Sequence, residues 1–190
     1  LYATQPILDA LASDLDASAA AAAWTIAGST LGVALSAPVA GAVSDRLGRR
    51  SVIVWALVGV LATTLLCALA PSLWVLVAVR VVQGMLVPFV FSTSIAMIPE
   101  AWPGSLSVRL GALQGAGTAM GGFLGRLASG LAAPLGWRWS FVAVAVVVAA
   151  ALAVVATWLP RDRGFSPSPS LGAGVRGFGT HVRDGRILAT

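Results

Sequence analysis

The chain has 190 residues, of which 58% are hydrophobic and only 10% are charged. A soluble domain of this size needs more charge on its surface, so this composition is typical of a protein that lies in a lipid bilayer. The net charge of +5 comes from arginines spread along the chain, whereas a nucleic-acid interface gathers such charges on one basic face. The single Cys67 and the single His181 exclude an internal disulfide and offer no metal-binding cluster.

Six apolar runs follow one another along the chain. They are Leu1–Leu11, Trp24–Val43, Val52–Ala70, Leu73–Ile98, Leu110–Pro134 and Trp139–Leu159. The last five reach the roughly 20 residues that a membrane-crossing helix needs, and they lack the alternation of membrane β-strands. No initiator Met or basic leader precedes the first run, so we expect a truncated helix there instead of a signal peptide. The sequence therefore predicts an all-α membrane protein, a bundle of six transmembrane helices of which the first is cut short.

Two polar side chains stand out in the first run. Gln5 offers a hydrogen-bonding group to a small-molecule substrate. Asp9 lies near the expected outer end of the run. We expect Asp9 to be either a solvated residue at the rim or, if it is buried in the bundle, a proton-coupling carboxylate.

A compact charged turn, Gly41–Arg50, separates the second and third runs and reads GAVSDRLGRR. Its carboxylate, Asp45, can accept hydrogen bonds from the first amides of the next helix or pair with a nearby arginine. If this turn is cytoplasmic, only Arg138 lies in an outer loop. The positive-inside rule favours that orientation, which places nine arginines inside: Arg46, Arg49, Arg50, Arg109, Arg161, Arg163, Arg176, Arg183 and Arg186.

Arg80 and Arg126 lie within apolar runs, where a central arginine costs roughly 2.5–3.5 kcal/mol to insert. Each therefore either extends to the outer interface or faces the bundle interior and finds a partner there. Gln83 follows Arg80 by three residues and lies on nearly the same helix face. Phe89 and Phe91, further along the same run, either line a substrate cavity or pack in the core.

Small residues recur every four residues in two of the runs. In a membrane such stripes let helix backbones approach closely, and they either pack statically or slide between two states. The second run carries Gly28, Gly32, Ser36 and Ala40, and the fifth carries Gly117, Gly121, Gly125 and Ser129, with Gly122 beside them. Because the two runs are three apart, the stripes also suggest a repeat of three helices.

The composition changes after Pro160. Residues 161–190 contain alternating serine and proline and then a glycine-rich basic stretch, which is typical of a linker. Within them, Gly177–Leu188 is either a short interfacial helix or a solvated segment. We predict a transmembrane bundle over residues 1–160 and the start of a cytoplasmic linker over 161–190. The sequence shows no nucleophile–base pattern and no phosphate-binding loop, so we predict neither an enzyme nor a cofactor.

Several of these motifs resemble those of the major facilitator superfamily. They are the turn Gly41–Arg50, the segment Leu76-x-x-x-Arg80-x-x-Gln83-Gly84, the segment Gly117-Thr-Ala-Met-Gly121-Gly122, and Gly136-Trp137-Arg138-Trp139-Ser-Phe141. The opening Leu1–Leu8 is similar to that of bacterial multidrug and sugar-efflux members. The chain departs from the family at Thr118, where proline is usual, and at Leu113 and Leu86, where glycine is common.

The resemblance implies one half of a twelve-helix fold, with a substrate site between two halves that rock to give alternating access. It implies a secondary transporter of the bacterial inner membrane, with proton-coupled efflux of a small molecule, a cytoplasmic carboxy-terminal tail and a missing carboxy-terminal six-helix half. A half-size homodimerising carrier and a non-transporting membrane scaffold subunit remain alternatives. The resemblance assigns proton transfer to Arg80, and conformational switching to Gly41, Asp45, Arg46, Gly48, Arg49 and Arg50. For the charged residues of the turn, above all Arg49 and Arg50, the alternative is a topology signal by charge alone.

Overall fold

The computed structural model describes residues 2–159, and these form helices joined by short turns. A 3-10 segment, Tyr2–Ile7, leads into α1, and a second 3-10 turn, Ala133–Leu135, precedes α6. No strand occurs within residues 2–159, so the prediction of an all-α protein is confirmed for this range. The predicted linker over 161–190 lies outside the described residues. The helices are α1 (Leu8–Asp14), α2 (Ala19–Leu47), α3 (Arg49–Ala68), α4 (Leu73–Ala101), α5 (Ser105–Ala132) and α6 (Trp137–Trp158).

Four of the helices, α2, α3, α4 and α6, are long and apolar enough to cross a membrane. The fifth helix, α5, has 28 residues but is not among these four candidate spans. The chain is therefore a multi-pass helical membrane protein, and six crossings stay a prediction.

The helices extend beyond the apolar runs because polar residues decide where a helix begins and ends. The Ser18 hydroxyl accepts a hydrogen bond from the Ala21 amide at 3.1 Å, which caps the start of α2 ahead of its apolar run. At its other end, Gly48 alone separates α2 from α3. Its φ of 91° is strained for any residue with a side chain, so glycine permits this tight turn.

The α2 and α4 helices pack in parallel and form the most extensive helix pair of the described bundle. Gly32 lies against the α4 backbone, where an added Cβ would stand 2.1 Å from the Val81 carbonyl oxygen. A Cβ on Gly84 would stand 2.0 Å from the Ser29 carbonyl oxygen. The small residues of the second run thus bring two backbones into direct contact, as membrane helices without a hydrophobic driving force require.

The remaining helices complete the bundle. The other side of α4 packs on α3, α3 packs on α6, and α6 packs on α5. The C-terminal part of α5 meets the first 3-10 segment, where the Ser129 hydroxyl donates to the Ala3 carbonyl at 2.6 Å. The apolar core lies at the end of the bundle opposite the α2–α3 turn. It includes Ile7, Leu11, Ala22, Cys67, Leu76, Trp137 and Phe141.

Most of α5 is uncovered within the described residues. Ser129 is its only buried residue, and a Cβ added at any of the four predicted packing glycines would meet no atom within 4 Å. The packing role of this stripe therefore stays a prediction. The four glycines are Gly117, Gly121, Gly122 and Gly125.

Candidate functional site

Arg80 lies inside the bundle, in a polar cluster between α2, α3 and α4. We call Thr25, Ser29, Thr64, Arg80 and Gln83 the Arg80 cluster. Only 2% of Arg80 is exposed. Its Nε donates to the Thr25 carbonyl oxygen at 3.2 Å, and its Nη2 donates to the Ser29 hydroxyl at 3.5 Å. Of the two alternatives for Arg80, the structure shows the interior position, because a side chain that reaches the interface is not buried.

Gln83 extends this network to the third helix. Its Oε1 accepts a hydrogen bond from Arg80 Nη1, and its Nε2 donates to the Thr64 hydroxyl at 2.6 Å. Thr64 in turn donates to the Val60 carbonyl at 2.6 Å. Since buried polar groups are costly unless they are hydrogen-bonded, this network holds a guanidinium in the bundle interior and sets the relative register of three helices.

The partners of Arg80 on other helices were not identified from the sequence. Thr25 and Ser29 belong to α2, and Thr64 belongs to α3. For Ser29 and Thr64 the one signal is a polar side chain on an apolar helix, whereas Thr25 contributes its backbone carbonyl, which any residue could supply. Such residues often hydrogen-bond across membrane helices, but a sequence does not show which helix faces them.

A second cluster lies at the α2–α3 turn and joins it to the end of α4. We call Ser44, Asp45, Arg49 and Glu100 the turn cluster. Arg49 Nη2 lies 2.8 Å from Asp45 Oδ1 and 2.6 Å from Glu100 Oε1. Its Nε donates to Glu100 Oε2 at 3.0 Å, which makes the pair bidentate, and its Nη1 donates to the Ser44 hydroxyl at 2.6 Å.

The structure shows which groups are contacted by the residues predicted to act in conformational switching. Asp45 pairs with an arginine, one of its two expected arrangements. The sequence gives no sign that Glu100 joins this cluster, because it stands 51 positions from Arg49 at the end of an apolar run. Arg50 reaches α6 instead, where its Nη2 donates to the Ala156 carbonyl at 2.6 Å. A Cβ on Gly41 would meet no atom within 4 Å.

A third group, which we call the Trp137 clasp, ties together the turns at the opposite end. The clasp consists of Asp14, Ala70, Trp137 and Arg138. The buried Trp137 indole donates to Asp14 Oδ2 at 2.6 Å, and Arg138 Nη1 lies 3.5 Å from the same oxygen. Arg138 Nη2 also donates to the Ala70 carbonyl at 3.3 Å. One tryptophan–arginine pair thus connects the start of α6 with the α1–α2 and α3–α4 turns.

The other predicted site residues are not gathered in one cavity of the described bundle. Gln5, Asp9 and Arg126 are exposed. Phe89 lines a cleft of about 470 Å³ between α2, α3 and α4. Phe91 lines a different cleft, of about 380 Å³, between α4 and α5. Their assignment to a substrate cavity or to proton coupling therefore stays a prediction.

These features define a helical membrane bundle with a buried arginine network and a charged turn between two membrane helices. The chain belongs to the major facilitator superfamily, since the family described as Major Facilitator Superfamily matches residues 1–188. The resemblance drawn from the motifs is thereby confirmed.

Individual relatives agree with this family. The chain is 35% identical over 156 residues to a "Multidrug resistance protein B homolog" of Mycobacterium tuberculosis, covering 80% of this chain and 28% of that protein. It is 30% identical over 166 residues to an uncharacterized MFS-type transporter, YceJ, of Bacillus subtilis, covering 87% of this chain and 43% of that protein. A second Bacillus subtilis transporter of this type, YybF, is 29% identical over 198 residues, covering 100% of this chain and 47% of that protein. The chain spans less than half the length of these relatives.

Proposed function

We propose that this chain forms the amino-terminal half of a secondary active transporter that moves a small molecule by alternating access. The observation that carries this proposal is the Arg80 cluster. An arginine inside a membrane bundle is costly, and it marks a substrate, ion or proton pathway by default. The relatives are more than twice as long as the part they share with this chain, which favours a half transporter over a half-size carrier or a scaffold subunit.

The ties at both ends of the bundle support movement of this half as one body. The turn cluster joins α2 and α3 to α4, and the Trp137 clasp joins three turns at the opposite end. Between them, α2 and α4 are in backbone contact through Gly32 and Gly84. Alternating access in this kind of transporter is largely rigid-body rocking of one bundle against another, and a bundle fastened at both ends is suited to it.

The open side of α5 supports the presence of helices beyond the described bundle. Its glycine stripe is a surface that another membrane helix can approach closely. We propose that a carboxy-terminal six-helix half covers part of it, with the substrate site between the two halves near the bilayer midplane.

We propose proton-coupled efflux as the transport mode. A fixed positive charge at Arg80 can stabilise a carboxylate that approaches it and release that carboxylate for protonation as the bundle rocks. The Mycobacterium relative is named as a multidrug resistance protein homolog, which supports export of drug-like molecules. We further propose that the α2–α3 turn and the carboxy-terminal tail are cytoplasmic in a bacterial inner membrane, an orientation that the positive-inside rule favours.

Transport by the full-length protein in proteoliposomes tests this function. A screen of drugs, sugars and amino acids first selects the substrate, and an imposed pH gradient then drives uptake. We expect Arg80→Ala to abolish gradient-driven transport, because the charge is lost, and Arg80→Lys to retain part of it. Arg109→Ala, at an exposed arginine of α5, is the matched control and should transport normally. Normal gradient-driven transport by Arg80→Ala would contradict the role of the Arg80 cluster.

A further inference from the structure

An apolar cleft lies beside the α2–α3 turn, apart from the Arg80 cluster. Its volume is about 470 Å³. It opens sideways on the bundle surface, since Leu47 is 62% exposed and Trp55 is 73% exposed. Its walls include Val43 and Leu47 of α2, Ser51 and Trp55 of α3, and Leu86 and Phe89 of α4. A membrane helix presents such a surface to acyl chains or to another helix.

A positive charge, Arg46, stands in the sequence between two residues that line this cleft, Val43 and Leu47. Arg46 precedes Leu47 and follows Val43 by three residues, so it shares the α2 face that lines the cleft. Its neighbours are engaged elsewhere, Arg49 in the turn cluster and Arg50 at α6. Arg46 is exposed, and it takes part in none of the ion pairs formed within residues 2–159.

We propose that this cleft binds an anionic phospholipid of the cytoplasmic leaflet, with an acyl chain along the apolar walls and the phosphate on Arg46. The charge pattern selects this occupant, because arginine forms short charge-assisted hydrogen bonds to phosphate oxygens. Basic pockets between membrane helices on the cytoplasmic side bind anionic head groups. The polar Ser51 lies at the same end as Arg46, whereas the walls further from the turn are apolar. This proposal does not depend on transport activity.

Native mass spectrometry of the purified full-length protein tests the lipid site. The probes are dioleoyl phosphatidylglycerol, dioleoyl phosphatidylcholine with the same chains, and inorganic phosphate. We expect phosphatidylglycerol to bind about fivefold more tightly than phosphatidylcholine, which is the contribution of one arginine near an anionic head group. Equal affinity for the two lipids would overturn the proposal. Inorganic phosphate that competes as well as phosphatidylglycerol would also overturn it, because the site would then take a free anion.

Variants separate the two parts of the site. Arg46→Gln should remove the preference for phosphatidylglycerol while phosphatidylcholine still binds, and Arg46→Lys should keep most of the preference. Ser51→Trp replaces an exposed serine with a bulky side chain that fills the cleft, and it should weaken the binding of both lipids. The control Arg109→Gln changes another exposed arginine and should leave the preference intact. A preference that survives Arg46→Gln, or lipid binding unaffected by Ser51→Trp, would show that lipid binds elsewhere and would refute the proposal.

Discussion

Two stripes of small residues with the same spacing have opposite surroundings in this bundle. The α2 stripe lies against α4, with Gly32 in contact with the backbone around Val81. Among residues 2–159, the α5 stripe has no neighbour within 4 Å of a Cβ placed at Gly117 or Gly121. Small residues every four positions therefore show that a helix can be approached closely. They do not show that its partner lies among the described residues.

The difference also concerns how each helix is fastened. The α2–α4 pair is held at its middle by backbone contact, near one end by the Arg80 cluster, and at the other by the turn cluster. By contrast, α5 packs on α6 and on the first 3-10 segment, where Ser129 bonds to Ala3, and its Gln114 donates to the Ser94 hydroxyl of α4 at 2.7 Å. The α2–α4 pair is consequently suited to be a rigid part of the bundle, and α5 to be a surface that meets other helices.

The largest effect is expected at Gly32. In Gly32→Ala the new Cβ would stand 2.1 Å from the Val81 carbonyl oxygen and 2.8 Å from the Met85 amide nitrogen. Because both atoms belong to the backbone, the two helices must move apart, at a cost of about 1–3 kcal/mol or more. Thermal unfolding of the purified protein should show a clear loss of stability. Gly41→Ala, on the same helix with open space around it, is the control. If Gly32→Ala melts at the same temperature as Gly41→Ala, the close contact between α2 and α4 at Gly32 is contradicted.

An intermediate effect is expected on α5. Within the described bundle, Gly121→Leu projects into open space and disturbs no packing. If helices outside this chain cover the stripe, the bulky side chain should separate them and reduce transport by the full-length protein. We expect Gly121→Ala to reduce transport less, since a methyl group demands less room. Full transport by Gly121→Leu at normal expression would mean that this face contacts lipid, and the proposed interface with a second half would be wrong.

The smallest effect on stability is expected at the turn cluster, where α2 and α4 are tied by exposed charges. Asp45→Asn leaves Arg49 bonded to Glu100, and an exposed ion pair contributes only about 0.2–1 kcal/mol. We therefore expect normal insertion and nearly normal melting of Asp45→Asn. Transport should nevertheless be impaired, because loss of the carboxylate shifts the balance between inward-open and outward-open states.

Glu100→Gln gives the matched measurement on α4, since it removes the other carboxylate that Arg49 contacts. We expect the same pattern as in Asp45→Asn, a small change in melting temperature with a larger loss of transport. If both variants express normally and transport at the wild-type rate, the turn cluster is only a topology signal.

The sequence alone determined the helical, membrane-bound character of this protein. Transfer of an apolar run from water to lipid depends on that run by itself, so residues such as those of α3 and α6 were sufficient. The relation between Arg80 and Gln83 was also predictable, because residues three apart share a helix face. The charged turn Gly41–Arg50 was also predictable, because its residues are contiguous and lie between two apolar runs.

Only the tertiary structure decided which helices meet and in what register. Arg49 finds Glu100 from 51 positions away, and Trp137 finds Asp14 from 123 positions away. Phe89 and Phe91 are two residues apart on one helix, yet they line different clefts. Such pairings depend on the rotation and offset of whole helices, which packing sets across the bundle. Local hydropathy does not encode that arrangement, and so two stripes of small residues with the same spacing have different surroundings.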